Sequence, residues 1–101
     1  MELNTRKRLV IITESIILDR IVDIMNGLGN KGYTVDDVRG GGRRGLRYGA
    51  DGGAFHAILQ NIRIETVTTE SVAKKISKEV IEKLFVNYAG IIYMDDVEAY
   101  T

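Results

Sequence analysis

The stretch 33-YTVDDVRGGGRRGLRYGADGGAFHAILQNIRIETVT-68 decides how this chain folds. At its far end Ile58, Ile62, Ile64 and Thr66 fall on one side of a two-residue period, with Asn61, Arg63 and Glu65 on the other. That alternation predicts a half-buried strand over Ala57 to Thr68. At its near end Tyr33 to Arg39 reads as a second strand. Between them lie Gly40, Gly41, Gly42, Gly45, Gly49, Gly52 and Gly53, together with Arg43, Arg44 and Arg47, and Asp51 is the one acid before His56. The composition predicts a long mobile loop over residues 40–54. Long loops inside compact domains are uncommon and are usually functional where they occur.

Working outward, Arg8 to Thr13 is a short β-branched apolar run that suits a buried strand. Ile17, Ile21, Ile24, Met25 and Leu28 then recur at three- and four-residue spacing, which predicts an amphipathic helix. Thr13 or Ser15 is positioned to cap it, and Gly27, Gly29 and Gly32 end it. A second helix is predicted from Thr69 to about Tyr88, with Val72, Ile76, Val80, Leu84, Ile81 and Tyr88 inward, and Glu79 and Lys83 forming an i,i+4 pair. Gly90 to Val97 closes the pattern as a strand. The order strand, helix, strand, strand, helix, strand specifies an α+β, ferredoxin-like βαββαβ fold, an antiparallel sheet with two helices on one face. Two helices leave the other face uncovered. Tyr33, Val35, Ile62, Ile64, Ile91, Tyr93 and Val97 make that face too apolar for full exposure, which predicts a symmetric oligomer.

The chain has 101 residues, with 14 basic and 14 acidic side chains, one His and no Cys. This length fits a single domain, 1–101. The absence of Cys removes disulfides, thiolate zinc sites and cysteine nucleophiles, and the lone His56 reads as a loop-end residue, so no metal site is expected. The polar start, Met1 to Arg8, followed by so short an apolar run, resembles neither a signal peptide nor a membrane span, and a cytoplasmic location is expected. Asp36-Asp37 and Asp95-Asp96 read as solvated strand ends, because neighbours on a strand point to opposite faces. Ser15, Ser71 and Ser77 have no basic partner at a recognisable spacing.

Glycines beside arginines have a direct chemical use: bare backbone N–H groups approach an anion closely, and guanidinium groups add paired, charge-assisted contacts. The segment 39-RGGGRRGLR-47 is not a Walker A loop, because no Gly-Lys-Ser/Thr follows. It is not a dinucleotide-binding fingerprint either, because it leads into no helix. On spacing alone, anion binding and a simple flexible hairpin tip stand level.

The run 32-GYTVDDVRGGGRRG-45 resembles the strand and loop base of PII signalling proteins. The strand ending in Thr13-Glu14, the return strand 61-NIRIETVT-68 and the closing 88-YAGIIYMDDVEAY-100 resemble the PII-like branch associated with bicarbonate transporters and carboxysomes. The resemblance implies a homotrimer with adenine nucleotides in the clefts between subunits, and a non-enzymatic regulatory role. Carried onto this sequence, it places Thr34 near the adenine, Gly40, Gly41 and Gly42 against the phosphates, and Arg43, Arg44 and Arg47 as sources of phosphate charge. Asn61 and Ile62 would lie beside the base, with Gly90 and Ile91 bordering the cleft. It also implies a bicarbonate-type anion held by Gly42, Arg43 and Arg44.

Nitrogen-sensing PII proteins carry a glycine-rich lysine motif before the last strand, whereas Tyr88-Ala89-Gly90-Ile91-Ile92 has no lysine. The resemblance therefore favours AMP or ADP, with cyclic AMP and ATP as further candidates. It implies signalling by ordering or releasing loop 40–54 to control a partner in inorganic-carbon metabolism, such as a bicarbonate transporter or a carboxysome-related protein. The rival reading is a nucleic-acid-binding module that uses the Arg/Gly-rich loop; the zero net charge and the few aromatic residues among the arginines weigh against it.

Overall fold

The computed structural model describes residues 1–40 and 61–101. The chain begins with β1 (Leu3–Glu14), passes through a 3-10 turn at Ser15–Ile17 into α1 (Leu18–Gly27), and continues as β2 (Thr34–Val38). After the segment that carries the predicted loop come β3 (Asn61–Thr68), α2 (Glu70–Lys83) and β4 (Gly90–Tyr100). The strands form one antiparallel sheet in the order β2-β3-β1-β4. This is the βαββαβ arrangement expected. Loop 40–54 and Ile58 lie outside the described residues, apart from Gly40.

The central strand is longer than its apolar run. Arg8 to Thr13 is the part covered by the helices, but pairing with β4 extends β1 back to Leu3, opposite Tyr100, and Glu2 and Thr101 exchange backbone hydrogen bonds beyond it. Residues 3–6 have a partner on one side alone, and Leu3 followed by the polar Asn4, Thr5 and Arg6 makes no apolar run.

In antiparallel pairing, directly opposed residues share a face. The register therefore sorts the sheet. Leu9, Ile11 and Thr13 of β1, Ile62, Ile64 and Thr66 of β3, Val35 of β2, and Ile92 and Met94 of β4 face the helices. They close on Ile17, Ile21 and Met25 around α1 and on Ala73, Ile76, Val80 and Leu84 along α2. Each such Ile, Leu or Met contributes on the order of 1.5–3 kcal/mol through removal from water. The expectation that Val35, Ile62 and Ile64 line the uncovered face is corrected by this register; Ile62 and Ile64 are core residues, 3% and 1% exposed. Ile91 and Tyr93 do lie on the open face and are exposed. Tyr33 precedes β2.

Both helix ends differ from the sequence pattern. Neither Thr13 nor Ser15 caps α1: the 3-10 turn intervenes, and the Thr13 hydroxyl is engaged elsewhere. At the other end Gly29 takes a left-handed φ of 80°, where a side chain would be strained. The Thr69 hydroxyl caps α2 by accepting from the Val72 N–H. That helix ends at Lys83, short of Tyr88, because Phe85 donates back to Val80 O and Asn87 and Tyr88 donate to Leu84 O, winding the chain into tight turns. Ile81 is on the wetted side, whereas Ala73, unremarked in the pattern, is fully buried. The Glu79–Lys83 pair forms at 2.6 Å.

A buried polar knot ties the α1–β2 connection to β3. The Thr66 hydroxyl donates to Gly32 O at 2.6 Å and accepts from Asn30 Nδ2 at 3.0 Å. These groups leave water with their hydrogen bonds made, so their burial costs little.

Candidate functional site

One end of the sheet gathers most of the described residues singled out from the sequence. Val38 pairs with Asn61, and Asn61 with Glu14, while Thr13 pairs with Gly90. Gly40 is two residues beyond Val38, so the start of the glycine run, the start of β3, the end of β1 and the start of β4 meet on adjacent rungs. On the open face this end presents Val38, Asn61, Glu14, Ile12 and Ile91, the last two paired. The result is an apolar floor edged by amide and carboxylate groups.

The turn before β4 is fastened to β1 by side chains. The Thr13 hydroxyl donates to Ala89 O at 2.6 Å, and the Ala89 N–H donates to the Glu14 carboxylate, also at 2.6 Å. Gly90 follows directly. A Cβ there would run into Phe85 Cζ and stand 3.0 Å from the Ile12 carbonyl oxygen. The glycine is thus required by the close approach of the Phe85 ring and the neighbouring strand. Arg20 lies over the Tyr88 ring, 5.9 Å from its centre.

Thr34 is elsewhere. It sits four residues from Val38, about 13 Å at the ordinary strand rise, in a row with Glu65, Val10 and Tyr93 on the open face. Ile62 is at the right end of the sheet, but its side chain enters the core, leaving its backbone toward the site. Gly41, Gly42, Arg43, Arg44 and Arg47 lie outside the described residues. Thr13, Glu14, Phe85 and Ala89 were not identified as site residues from sequence. They meet across separations of about seventy-five positions, for which no local spacing is a signal.

The open face also carries a file of alternating charges that crosses all four strands. Asp36 meets Arg63 at 3.3 Å, Arg63 meets Glu65 at 3.6 Å, Glu65 meets Arg8 at 3.9 Å, and Arg8 grips Asp95 through two contacts of 3.0 and 3.2 Å. The Arg8 hydrogen bond holds the Asp95 carboxyl below its ordinary value, and Arg8 is raised in return. On the other face the Lys7 ammonium binds Asp96, which raises it, with Glu70 adding to the effect. All four acids of the two doublets are exposed, and Asp36, Asp95 and Asp96 are ion-paired as well.

The described residues thus form an antiparallel βαββαβ domain whose β2 end, β3 start and β4 start meet at one end of the sheet. Residues 6–100 match the family of nitrogen regulatory protein P-II, and the chain belongs to that family. It is similar to a PII-like signaling protein of Thermus thermophilus, with 34% identity over 98% of this chain and 92% of that one and a TM-score of 0.76. The fold is also that of CPII, a nitrogen regulatory PII-like protein of Thiomonas intermedia. Its complex with ADP, AMP and bicarbonate is 21% identical, covers 99% of this chain and 98% of that one, and superposes with a TM-score of 0.77. The complex of CPII with ADP, AMP and acetate, at 20% identity over 100% and 94% of the two chains, gives 0.78. Among the described residues no helix is long and apolar enough to cross a membrane.

Proposed function

We propose that this protein is a non-enzymatic sensor of adenine nucleotides, AMP or ADP first, acting as a homotrimer whose clefts between subunits hold the ligand. The observation that carries the reading is the convergence of Gly40, Asn61, Gly90 and Ile91 at one end of the sheet in a chain of the P-II family. The binding of ADP, AMP and bicarbonate by CPII, which shares the fold, supports the ligand class. Gly40, Gly41 and Gly42 would offer backbone amides to the phosphates, and Arg43, Arg44 and Arg47 their charge. Thr34, at the other end of β2, would reach a nucleotide that spans two subunits. Asn61, Ile62 and Ile91 would border the base.

A bicarbonate-sized anion fits the same chemistry at Gly42, Arg43 and Arg44. Ligand capture of those arginines would order loop 40–54, and a ligand of fewer phosphates would release it, which alters the surface offered to a partner in inorganic-carbon metabolism. The nucleic-acid reading gains no support from the described surface, where Arg8 and Arg63 both have acid partners.

Titration calorimetry with AMP, ADP, ATP and cyclic AMP, with and without bicarbonate, tests the assignment. Micromolar binding of at least one nucleotide is expected, and no binding below millimolar would sink it. Arg43→Ala and Arg44→Ala should each weaken a phosphate-bearing ligand by about 1.5–3 kcal/mol, the range for hydrogen bonds to charged groups, while changing adenosine binding little.

A further inference from the structure

Consecutive strand residues leave on opposite faces, so Thr13 and Glu14 reach the Ala89 peptide from two sides. Thr13 takes its carbonyl from the buried side, and Glu14 takes its N–H from the open side. The open side is the one on which Ile12, Ile91 and Asn61 edge the candidate cleft. A backbone N–H at the lip of such a cleft is an anion donor. Here that donor is already held by a carboxylate of the chain itself, in a short charge-assisted bond. The stretch Tyr88 to Ile92 contains no lysine or arginine to add an attraction of its own. Any phosphate that extends to this turn has to displace the Glu14 carboxylate from Ala89 and then lie beside a like charge. A ligand whose negative charge stops short of the turn leaves the contact intact.

We propose that Glu14 is a specificity-determining residue of this cleft, an internal anion that excludes additional phosphates from the Ala89 turn and reserves the site for nucleotides with few of them. The inference rests on the nucleotide reading above and adds to it the group that grades ligands by charge. Glu14→Gln separates charge from shape, since the amide oxygen can still accept from Ala89.

The experiment is calorimetric titration of the native protein and Glu14→Gln with AMP and ATP at one ionic strength, with melting curves to establish that both are folded. Glu14→Gln should raise the ATP-to-AMP affinity ratio by about tenfold, which corresponds to roughly 1.4 kcal/mol. A ratio equal in the two proteins overturns the role of Glu14 alone. Failure of both nucleotides to bind the native chain overturns the nucleotide reading together with it. A second readout needs no substitution and covers a variant that fails to fold: the Ala89 amide resonance of the native protein should stay in place on adding AMP and move on adding ATP. Equal movement with both ligands overturns the proposal.

Discussion

Gly90→Ala is the sharpest test of how the site end of the sheet is packed. The added Cβ would collide with Phe85 Cζ, meet Phe85 Cε1 at 2.6 Å, well inside contact distance, and meet the Ile12 carbonyl oxygen at 3.0 Å. The Ile12 oxygen belongs to the β1 backbone beside β4 and cannot retreat without disturbing the pairing of Ile12 with Ile91. The Phe85 ring is packed against the core cluster and has to give way instead. Overpacking of this kind costs about 1–3 kcal/mol. For a domain of about this size a loss of ~2 kcal/mol lowers Tm by roughly 8–16 °C.

Urea and thermal unfolding at a fixed protomer concentration would measure the loss, because self-association makes apparent stability concentration-dependent. The decisive measurement is a double-mutant cycle with Phe85→Leu, which removes Cζ and Cε1. In that background the cost of Gly90→Ala should fall to less than about half, because contacting residues give non-additive effects. The same cost in both backgrounds would refute the argument that the ring makes glycine necessary.

Thr66→Val should lose about 1–3 kcal/mol in urea unfolding, since the Gly32 carbonyl and the Asn30 amide lose a buried partner, whereas Thr66→Ser should lose markedly less. Asp95 has a depressed folded pKa, so its pairing with Arg8 stabilises fully above the ordinary carboxyl value of 3.8 and fades as pH falls through the lower folded value. Urea midpoints of Asp95→Asn should accordingly fall less steeply with acid than those of the native chain. Lys7 is raised, so its contribution is complete below the ordinary value of 10.5 and is lost as pH rises through the folded one. Lys7→Met should flatten the alkaline limb of the same measurement.

The core half of this fold was readable because periodicity reports burial directly. The two-residue alternation of Ile62, Ile64 and Thr66 gave β3 its inward face, and the three-to-four spacing of Ile17, Ile21 and Met25 gave α1 its stripe. Placing Ile62 and Ile64 on the uncovered face as well failed because a strand has one inward set, and its partner register, not its apolarity, says which face that is. The limits of β1 and α2 were misread for a related reason. Residues 3–6 are held by β4 alone and need no apolar signal, and α2 gives way to tight turns before its apolar pattern runs out. At one end of the sheet Gly40, Asn61 and Gly90 lie on adjacent rungs, and there the Thr13–Ala89–Glu14 fastening joins residues too distant in the chain for any local pattern to announce.

The strand order has a kinetic consequence. β1 is the first strand along the chain, yet it lies inside the sheet, and its partners are the two strands that come last: Lys7 waits for Thr68, and Leu3 for Tyr100. Such non-local pairings slow folding, because loop-closure entropy must be met before any contact rewards it. A nascent chain therefore carries Leu9 to Ile12 without strand partners until Arg63 to Thr66, and then Ile91 to Met94, have been made. The Thr13–Ala89–Glu14 fastening is of the same long-range kind, joining the end of the first strand to the turn before the last.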